Sequence, residues 1–221
     1  MQPIAVFDLD GTLVDSAPDL HAALDRLMAA RGLPGFQRAE VVAMIGDGAK
    51  VLVQRALAAR GAAFEAAALD DFLLDYGDHA AVETAPFAGI VAVLQELRDA
   101  GWRLAVCTNK PVAPAITLLQ ALGLSDHFAA IGGGDSYPAR KPDPAHLLAT
   151  LRDAGGAASC AVMIGDHHND MAAASGAGIP AIFAGWGYGP PAMAGGASTA
   201  ATPADLPALL APIRRRRGFG A

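Results

Sequence analysis

The sequence predicts an α/β fold in which a doubly wound parallel sheet, a Rossmann-like core, carries a small helical cap inserted after the first strand. Short apolar runs alternate with helical patterns over the C-terminal two thirds of the chain, as in parallel sheets. The interval from residue 16 to 83 holds amphipathic helical stretches and no convincing strand. A chain of 221 residues suffices for one core plus a small insert. We therefore expect a core of residues 1–15 and 84–221 and a cap of residues 16–83.

The predicted core strands are short apolar runs that end in small or polar residues, as strands buried on both faces do. They are Ile4 to Phe7, Leu104 to Cys107, Ala161 to Ile164 and Ala181 to Phe183, with a weaker fifth at Ala129 to Ile131. Two helical patterns lie between the later runs, over residues 87–97 and 116–122, and Gly123 stands after the second like a C-cap. This alternation favours a parallel sheet.

The predicted cap contains three helical regions. The first begins with Ser16 as its N-cap and Pro18 in its first turn, and it stops at Gly32. The second is interrupted at Gly46-Asp47-Gly48 before its apolar pattern resumes, and the third lies around Leu69 to Tyr76.

The composition argues against several classes of function. The formal net charge is −6, which disfavours a protein that binds a nucleic-acid backbone. The basic block Arg214 to Arg217 lies near the C-terminus and is expected to be a solvated, frayed tail. Cys107 and Cys160 lie in apolar strand-like runs without metal-type spacing, so we expect buried thiols in a reducing cytoplasm.

No targeting or membrane segment is expected. The N-terminus lacks a basic region and reaches Asp8 before a hydrophobic stretch of signal-peptide length can form. The uncharged interval from Met171 to Ala204 is rich in Gly, Pro, Ser and Ala, which suits loops and one short strand better than a transmembrane helix. We expect a cytoplasmic monomer or homodimer whose partners include neither nucleic acid nor membrane.

Acidic residues follow the first predicted strand directly. Asp8 and Asp10 are two residues apart on an extended chain, so their side chains share a side, and Gly11 permits a sharp turn beside them. Later strands also end in polar residues, at Thr108-Asn109-Lys110 and at Gly165-Asp166, and a KPDP segment lies between these two. Each segment alone is an ordinary turn or helix start. Together they predict acids, a hydroxyl and an ammonium around one crevice at the sheet edge where open α/β sheets bind ligands.

Through these segments the chain resembles the haloacid dehalogenase-like superfamily. The motifs are DLDGTLVDS at residues 8–16, TNK after the second strand, Lys141 in KPDP and GDHHND at residues 165–170, in the family's order. The helical insert resembles the family's small helical cap, so the resemblance covers nearly the whole chain. Within the family, the stretches SAPDL, MIGDGAKVLVQRAL and GGGDSYPARKPDP are most similar to bacterial phosphoglycolate phosphatases.

The resemblance implies hydrolysis of a small phosphate monoester in two steps. Asp8 attacks phosphorus, and water then hydrolyses the aspartyl-phosphate. Asp10 protonates the leaving oxygen and later takes a proton from the attacking water. The implied cofactor is Mg²⁺, with the Asp8 carboxylate, the Asp10 backbone carbonyl and Asp166 as its ligands.

Further residues are implied to surround the phosphoryl group. Its expected donors are Lys141, Thr108 and the amides near Leu9 and Asn109. Asp170 follows Asp166 at helical i,i+4 spacing, so it is expected to orient Lys141 or a metal-bound water, unless it serves only as a charge at a helix N-terminus. His167 and His168 replace the family's usual serine. Because adjacent residues are not expected to face one site, we expect surface or cap-facing packing rather than metal ligation.

Selection among phosphate esters is expected to come from the cap, because the core handles phosphoryl transfer generically. The turn with Gly46 is the predicted contact. Lys50, just after it, either meets a substrate carboxylate, as 2-phosphoglycolate requires, or is a solvated lysine at a helix start; related phosphatases often carry an acid there. Hinges are expected near Val14 to Ser16 and near Glu83 to Pro86.

Other functions stay open at this point. A sister enzyme would act on a sugar phosphate or a pyrophosphate-containing compound, or would be a phosphomutase with the same Asp8 chemistry. A phosphate-ester binding protein without turnover is a further alternative, although all the chemical residues are present. A receiver domain is disfavoured, because its phosphorylated aspartate follows a middle strand and no helical insert follows the first. The sequence contains neither GxxxxGK[ST] nor GxSxG, which disfavours P-loop enzymes and serine hydrolases.

Overall fold

A computed structural model describes residues 2–216, with only the backbone of residues 214–216. The strands are β1 (Ile4–Phe7), β2 (Val14–Asp15), β3 (Ala85–Pro86), β4 (Arg103–Cys107), β5 (Ala130–Gly132), β6 (Ala161–Gly165), β7 (Ala181–Ala184) and β8 (Ser198–Ala200). The α-helices are α1 (Ala17–Ala30), α2 (Arg38–Val42), α3 (Ala49–Ala59), α4 (Ala66–His79), α5 (Ile90–Asp99), α6 (Val112–Ala121), α7 (Pro144–Asp153), α8 (His168–Gly176) and α9 (Leu206–Arg216).

Six of these strands form one parallel sheet in the order β5-β4-β1-β6-β7-β8. After β1 the chain adds β4 and β5 on one side of this strand, and it then crosses over to add β6, β7 and β8 on the other side. The strand order therefore reverses between β1 and β6. Phe7 lies opposite both Val106 and Ile164 in the register. The residues that follow these positions therefore emerge at one sheet edge, where doubly wound sheets bind ligands. The predicted fold class is confirmed.

Alternate residues of the strands pack on opposite faces of the sheet. Phe7 and Val106 belong to an apolar cluster shared with α5, α6 and α9. Val6 and Met163 belong to a second cluster shared with α7 and α8. Helices thus cover both faces, and this packing fixes the carboxyl ends of the strands relative to one another.

The five predicted core strands correspond to β1, β4, β5, β6 and β7. The predicted bounds agree for β1, differ by one residue at one end for β4, β6 and β7, and differ by one residue at both ends for β5. The interval from Met171 to Ala204 was predicted to hold loops and one short strand, which was wrong in part. It contains most of α8 and two strands, β7 and β8. β8 was not predicted because it lies at the sheet edge and buries only Ala200, so it has no apolar run.

Residues 16–83, the predicted cap, contain α1 to α4, which pack around an apolar cluster of their own. Leu24 and Phe72 are among its most deeply buried members. The chain leaves and rejoins the sheet domain through β2 and β3, which pair antiparallel, with Val14 opposite Pro86. This short ribbon lies where the hinges were expected.

The start of α1 differs from the expectation in one detail. Ser16 occupies the N-cap position, but its side chain does not cap the helix. Its backbone is already helical, unlike that of a usual N-cap residue, and its hydroxyl donates to Asp10 Oδ1 at 2.6 Å. In the first turn, the buried Asp19 carboxylate accepts N–H bonds from residues 82–84, at 2.9–3.1 Å. Asp19 therefore ties the cap's last segment to its first helix.

Three expectations about the rest of the chain can be compared with the structure. Cys107 and Cys160 are buried free thiols, as predicted. None of the helices in the described part of the chain is long and apolar enough to span a bilayer. In the basic block, the backbone of Arg214 to Arg216 forms the end of α9, and Arg217 lies outside the described residues.

Candidate active site

Three aspartates meet at the sheet edge where the strand order reverses. Asp8 follows β1, Asp166 follows β6, and Asp170 lies in the first turn of α8. All three are buried, and their carboxylate oxygens lie within 4.8 Å of one another. The helical i,i+4 relation predicted for Asp166 and Asp170 was wrong, because Asp166 precedes α8. The two side chains nevertheless reach the same place.

Lys141 places a positive charge among these carboxylates. Its side chain is buried, and its ammonium lies 2.6 Å from Asp170 Oδ1 and 2.9 Å from Asp8 Oδ1. Burial lowers the pKa of Lys141, but the charges of Asp170 and Asp8 outweigh burial and raise this pKa above its usual value. Lys141 is therefore a fixed ammonium between Asp8 and Asp170.

One ammonium does not balance three carboxylates. Burial raises the pKa of Asp8 to about 6; Lys141 opposes this rise, and Asp170 adds to it. Burial, followed by the charges of Asp8 and Asp170, raises the pKa of Asp166 to about 7. A bound cation would relieve this repulsion. A compact set of carboxylate oxygens suits a hard divalent cation, so the residues present fit Mg²⁺.

The Asp166 carboxylate is held on both of its oxygens. The Thr12 hydroxyl donates to Oδ1 at 2.7 Å, and the Tyr188 backbone N–H donates to Oδ2 at 2.8 Å. Gly11 has a φ of 88°, and a Cβ at this position would collide with the Asp166 carboxylate. The turn after β1 therefore requires glycine both for its conformation and for the close approach of Asp166.

Asp10 is paired with a buried lysine. Its carboxylate accepts the Ser16 hydroxyl bond and also lies 3.1 and 3.3 Å from Lys110 Nζ. The same ammonium donates to the hydroxyl of Tyr76, a cap residue in α4, at 2.8 Å. Burial lowers the pKa of Lys110, but Asp10 and Tyr76 raise it above its usual value. Lys110 was not among the predicted site residues, although its place directly after Thr108-Asn109 at the same sheet edge was a usable signal.

A cavity of about 40 Å³ separates this part of the core from the cap. Its lining includes polar residues of the core and mostly apolar residues of the cap. The core contributes Asp8, Asp10, Thr108, Asn109, Lys110, Pro111 and Pro114, and the cap contributes Leu20, Ile45, Gly46, Gly48, Ala49, Leu52, Phe72, Leu73 and Tyr76. A second cavity, of about 280 Å³, adjoins Asp10 and Asp166 on the side of His167 and Tyr188.

The family model of haloacid dehalogenase-like hydrolases matches residues 3–178. The chain belongs to the haloacid dehalogenase-like hydrolases. The resemblance found in the sequence is thereby confirmed.

The phosphoglycolate phosphatase of Mesorhizobium japonicum is 42% identical, over 85% of this chain and 84% of its own length. That of Caulobacter vibrioides is 45% identical, over 82% of this chain and 78% of its own length. The crystal structure of a predicted phosphoglycolate phosphatase from Haemophilus somnus covers 95% of this chain and 98% of its own, with a TM-score of 0.88 and 29% identity.

Around the cavity of this haloacid dehalogenase-like hydrolase, the predicted phosphate-binding residues are already engaged in contacts. Thr108 is buried, and its hydroxyl accepts the Lys110 backbone N–H at 3.2 Å. The Asn109 side chain donates to the carbonyl of Lys141 at 3.0 Å. The Leu9 N–H, expected near the phosphoryl group, donates to Asp8 Oδ1 at 2.7 Å. The Leu9 amide therefore positions Asp8 in this conformation.

The cap touches the hydrolase core through the turn Gly46-Asp47-Gly48. The side chains of Asn109 and Asn169 donate to the Gly46 carbonyl, at 3.1 and 3.3 Å. A Cβ on Gly46 would lie 2.7 Å from the His167 ring, and one on Gly48 would lie 2.8 Å from the Asn109 carbonyl oxygen. Both glycines thus permit a close approach between cap and core.

Lys50 does not lie where a substrate contact requires it. The residue is exposed, and its ammonium stands 5.9 Å from the centre of the Phe64 ring. Lys50 is not among the described residues that line the two cavities. Its position therefore agrees with a solvated lysine at a helix start, which is the other interpretation that the sequence allowed.

His167 and His168 both lie near the cap. Their ligand nitrogens and an Asp47 carboxylate oxygen fall within 4.8 Å of one another, and the two rings are 4.1 Å apart. The expectation that adjacent residues do not face one site was wrong. His167 is the extended N-cap residue of α8 and His168 is its first helical residue, so the backbone turns between them.

Proposed function

We propose that this hydrolase is a Mg²⁺-dependent phosphatase that acts on 2-phosphoglycolate through an aspartyl-phosphate on Asp8. One observation carries the proposal: the Asp8 carboxylate borders a small cavity that is also lined by the buried Lys110. 2-Phosphoglycolate has two anionic ends, and the proposal places its phosphoryl group at Asp8 and its carboxylate at Lys110. The phosphoglycolate phosphatases among its relatives support the same substrate.

The nucleophile in this proposal is Asp8 Oδ2. The contacts from Leu9 and Lys141 both engage Oδ1, which leaves Oδ2 without a donor among the described contacts. Attack by Oδ2 forms a bond to phosphorus while the bond from phosphorus to the ester oxygen breaks. Water then attacks the aspartyl-phosphate, which releases inorganic phosphate and restores the Asp8 carboxylate.

Charge stabilisation is assigned to residues around Asp8. The Lys141 ammonium and the Thr108 hydroxyl are both buried beside the position of the transferring group, and Asp170 keeps Lys141 in place. Mg²⁺, held by the Asp8 and Asp166 carboxylates and the Asp10 carbonyl, would supply further neutralisation of the phosphoryl oxygens.

Asp10 is the proposed acid and base. In the structure its carboxylate is paired with Lys110 and Ser16. A substrate carboxylate that binds Lys110 competes for that ammonium, so that Asp10 can take up a proton from water and pass it to the leaving oxygen. Binding of the correct substrate is thereby linked to the availability of the acid.

The substrate is proposed from the size and charge of the cavity. The cavity is small, about 40 Å³, which suits a two-carbon acid better than a sugar. Lys110 and the Tyr76 hydroxyl, 2.8 Å apart, supply a charge and a hydrogen-bonding group for a carboxylate. The apolar cap residues Leu52 and Phe72 line the same cavity. Cap opening and closure around this pocket are part of the proposal.

The test is a phosphate-release assay on a panel of esters, with Mg²⁺ and with chelator, in wild type, Lys110→Met and Lys50→Met. We expect 2-phosphoglycolate to be preferred in wild type and in Lys50→Met, and activity to vanish with chelator. Lys110→Met should lower kcat/KM for 2-phosphoglycolate at least about 100-fold relative to an ester without a carboxylate, because it removes a buried charge-assisted contact.

The ratio between the two esters separates recognition from general damage, because a lesion in Asp10 or the fold lowers both rates alike. A preference that Lys110→Met leaves unchanged contradicts the proposed carboxylate site. A flat, low activity of wild type on every ester contradicts the proposed substrate.

A further inference from the structure

We infer that Asp47, His167 and His168 form a second metal site, which takes one late first-row divalent cation such as Zn²⁺ or Co²⁺ and fastens the cap to the core. One carboxylate oxygen and two imidazole nitrogens lie within 4.8 Å of one another in this cluster. Two nitrogen donors and one oxygen donor suit these cations, whereas Mg²⁺ prefers oxygen donors. The inference does not depend on the proposed substrate.

The ligands are held in place by neighbouring residues. Asp47 accepts a bond from the Asn169 side chain at 2.7 Å and pairs with Arg55 at 2.5 Å. The His167 ring packs directly beneath Gly46, so close that a Cβ there would collide with it. Contacts of this kind orient metal ligands before the ion arrives. His168 is exposed, which gives an ion access to the cluster.

The cluster is distinct from the three catalytic-site aspartates. It shares no residue with the group of Asp8, Asp166 and Asp170, and its donors differ in kind. The positive end of α8 disfavours a cation near His168, and the Asp47 carboxylate, which also pairs with Arg55, offsets this effect in part. Three protein ligands leave coordination positions for water. The two sites can therefore be told apart by their preference for cations.

The proposed site lies between the cap and the core. Asp47 belongs to the cap turn, whereas His167 and His168 belong to the core at the start of α8. An ion bound to all three joins the two parts, so the cap must release a ligand in order to open. Zn²⁺ or Co²⁺ added to the Mg²⁺-saturated enzyme should therefore slow hydrogen exchange in the cap turn and lower turnover.

The test is equilibrium dialysis of Co²⁺ against the full chain in a large excess of Mg²⁺, which occupies the oxygen-rich site. Wild type should bind one Co²⁺. His168→Ala and Asp47→Asn should weaken that binding at least roughly tenfold, since each removes a ligand. His79→Ala, which removes an exposed histidine on α4, should bind like wild type. Circular dichroism checks that each variant is folded.

Asp166→Asn tells the two sites apart. This variant damages the carboxylate cluster and should still bind one Co²⁺, and hydrogen exchange in residues 46–48 should slow on Co²⁺ addition as in wild type. Wild type that binds no Co²⁺ under excess Mg²⁺, or a His168→Ala protein that binds it as tightly as wild type, overturns the inference. Loss of Co²⁺ binding in Asp166→Asn overturns it too.

Discussion

Buried carboxylates dominate the chemistry at the scale of single residues. Asp8, Asp166 and Asp170 lie close together in a place where water does not screen them, and the ammonium of Lys141 pairs with Asp8 and Asp170. Each uncompensated charge there costs stability. Hydrogen bonds from the Thr12 hydroxyl and the Tyr188 backbone N–H to Asp166 hold the arrangement in place. Repulsion between buried carboxylates is expected where a cation and a phosphoryl group bind.

This imbalance predicts that the metal-free wild type loses stability relative to Asp166→Asn as the pH rises. The pKa of Asp166 is about 7 in the fold, against 3.8 for a free side chain, so folding favours its protonated form. That contribution is lost as pH rises through about 7. Between about pH 6.5 and 8.5 the loss should be on the order of 1 kcal/mol, measured by urea unfolding with chelator. His146 and His167, with pKa values lowered to about 4, oppose this loss by roughly 0.4 kcal/mol each, because their unfolded imidazoles are half charged at pH 6.5. The comparison with Asp166→Asn cancels this contribution.

Asp166→Asn is the control for this prediction. Its stability should not fall over the same pH interval, and Mg²⁺ should reduce the relative loss in wild type because the ion binds the charged form. A metal-free wild type that becomes more stable than Asp166→Asn as the pH rises would contradict a raised pKa of Asp166.

At the scale of elements, the loop after β7 links the cap to the carboxylate cluster. The Tyr188 hydroxyl donates to Asp15 Oδ1 at 2.8 Å and accepts the Ala17 N–H at 2.9 Å, at the start of the cap. The backbone N–H of the same residue donates to Asp166. The Tyr188 ring also packs edge-on against Phe87, just after β3. One residue thus contacts both crossings between cap and core.

Tyr188→Phe removes the hydroxyl and keeps the ring and the backbone N–H. We expect a loss of about 1–2 kcal/mol in the free energy of unfolding, because Asp15 and the Ala17 N–H lose a partner. We also expect a several-fold lower kcat/KM, with the Mg²⁺ dependence unchanged because the bond to Asp166 remains. Urea unfolding and phosphate-release kinetics measure both effects.

Tyr137→Phe is the matched control. Its hydroxyl donates to the exposed Asp153, away from the cap crossings, so both stability and kcat/KM should stay near wild type. Equal effects of the two substitutions, or an altered Mg²⁺ dependence in Tyr188→Phe, would contradict the role proposed for the Tyr188 hydroxyl.

The sequence predicted those elements that carry a strong apolar signal. β1, β4 and β6 are almost entirely buried runs, and the helices of the cap show apolar stripes, so both were found. β2, β3 and β8 have two or three residues each and were missed. Their pairing depends on partners far away in the chain, which local patterns do not contain.

The same limit applies to the candidate site. The residues that follow the central strands could be found because parallel strands bring their carboxyl ends to one edge. The sequence offered a substrate contact as one of two interpretations of Lys50, and it shows neither the cavity nor the contact between Lys110 and Tyr76. Tyr188 lies in a glycine-rich loop without periodicity, and only the folded chain shows its contacts with Asp15 and Asp166.

At the scale of the whole molecule, two parts with separate apolar clusters meet over one cavity. The core supplies acids and ammonium groups at the sheet edge, and the cap supplies Tyr76 and an apolar wall. In the proposed function, this division assigns phosphoryl transfer to the core and the choice of ester to the cap. The proposed mechanism rests on the transfer of the phosphoryl group to Asp8.

The most direct measurement is an acid quench of the enzyme during turnover of 2-phosphoglycolate with Mg²⁺, followed by peptide mass spectrometry. We expect an acid-stable, hydroxylamine-sensitive phosphoryl group on the peptide that contains Asp8, absent in Asp8→Asn and absent with chelator. Turnover in which the quenched protein carries that group on another residue, or an Asp8→Asn protein that hydrolyses the ester at the wild-type rate, would contradict the mechanism.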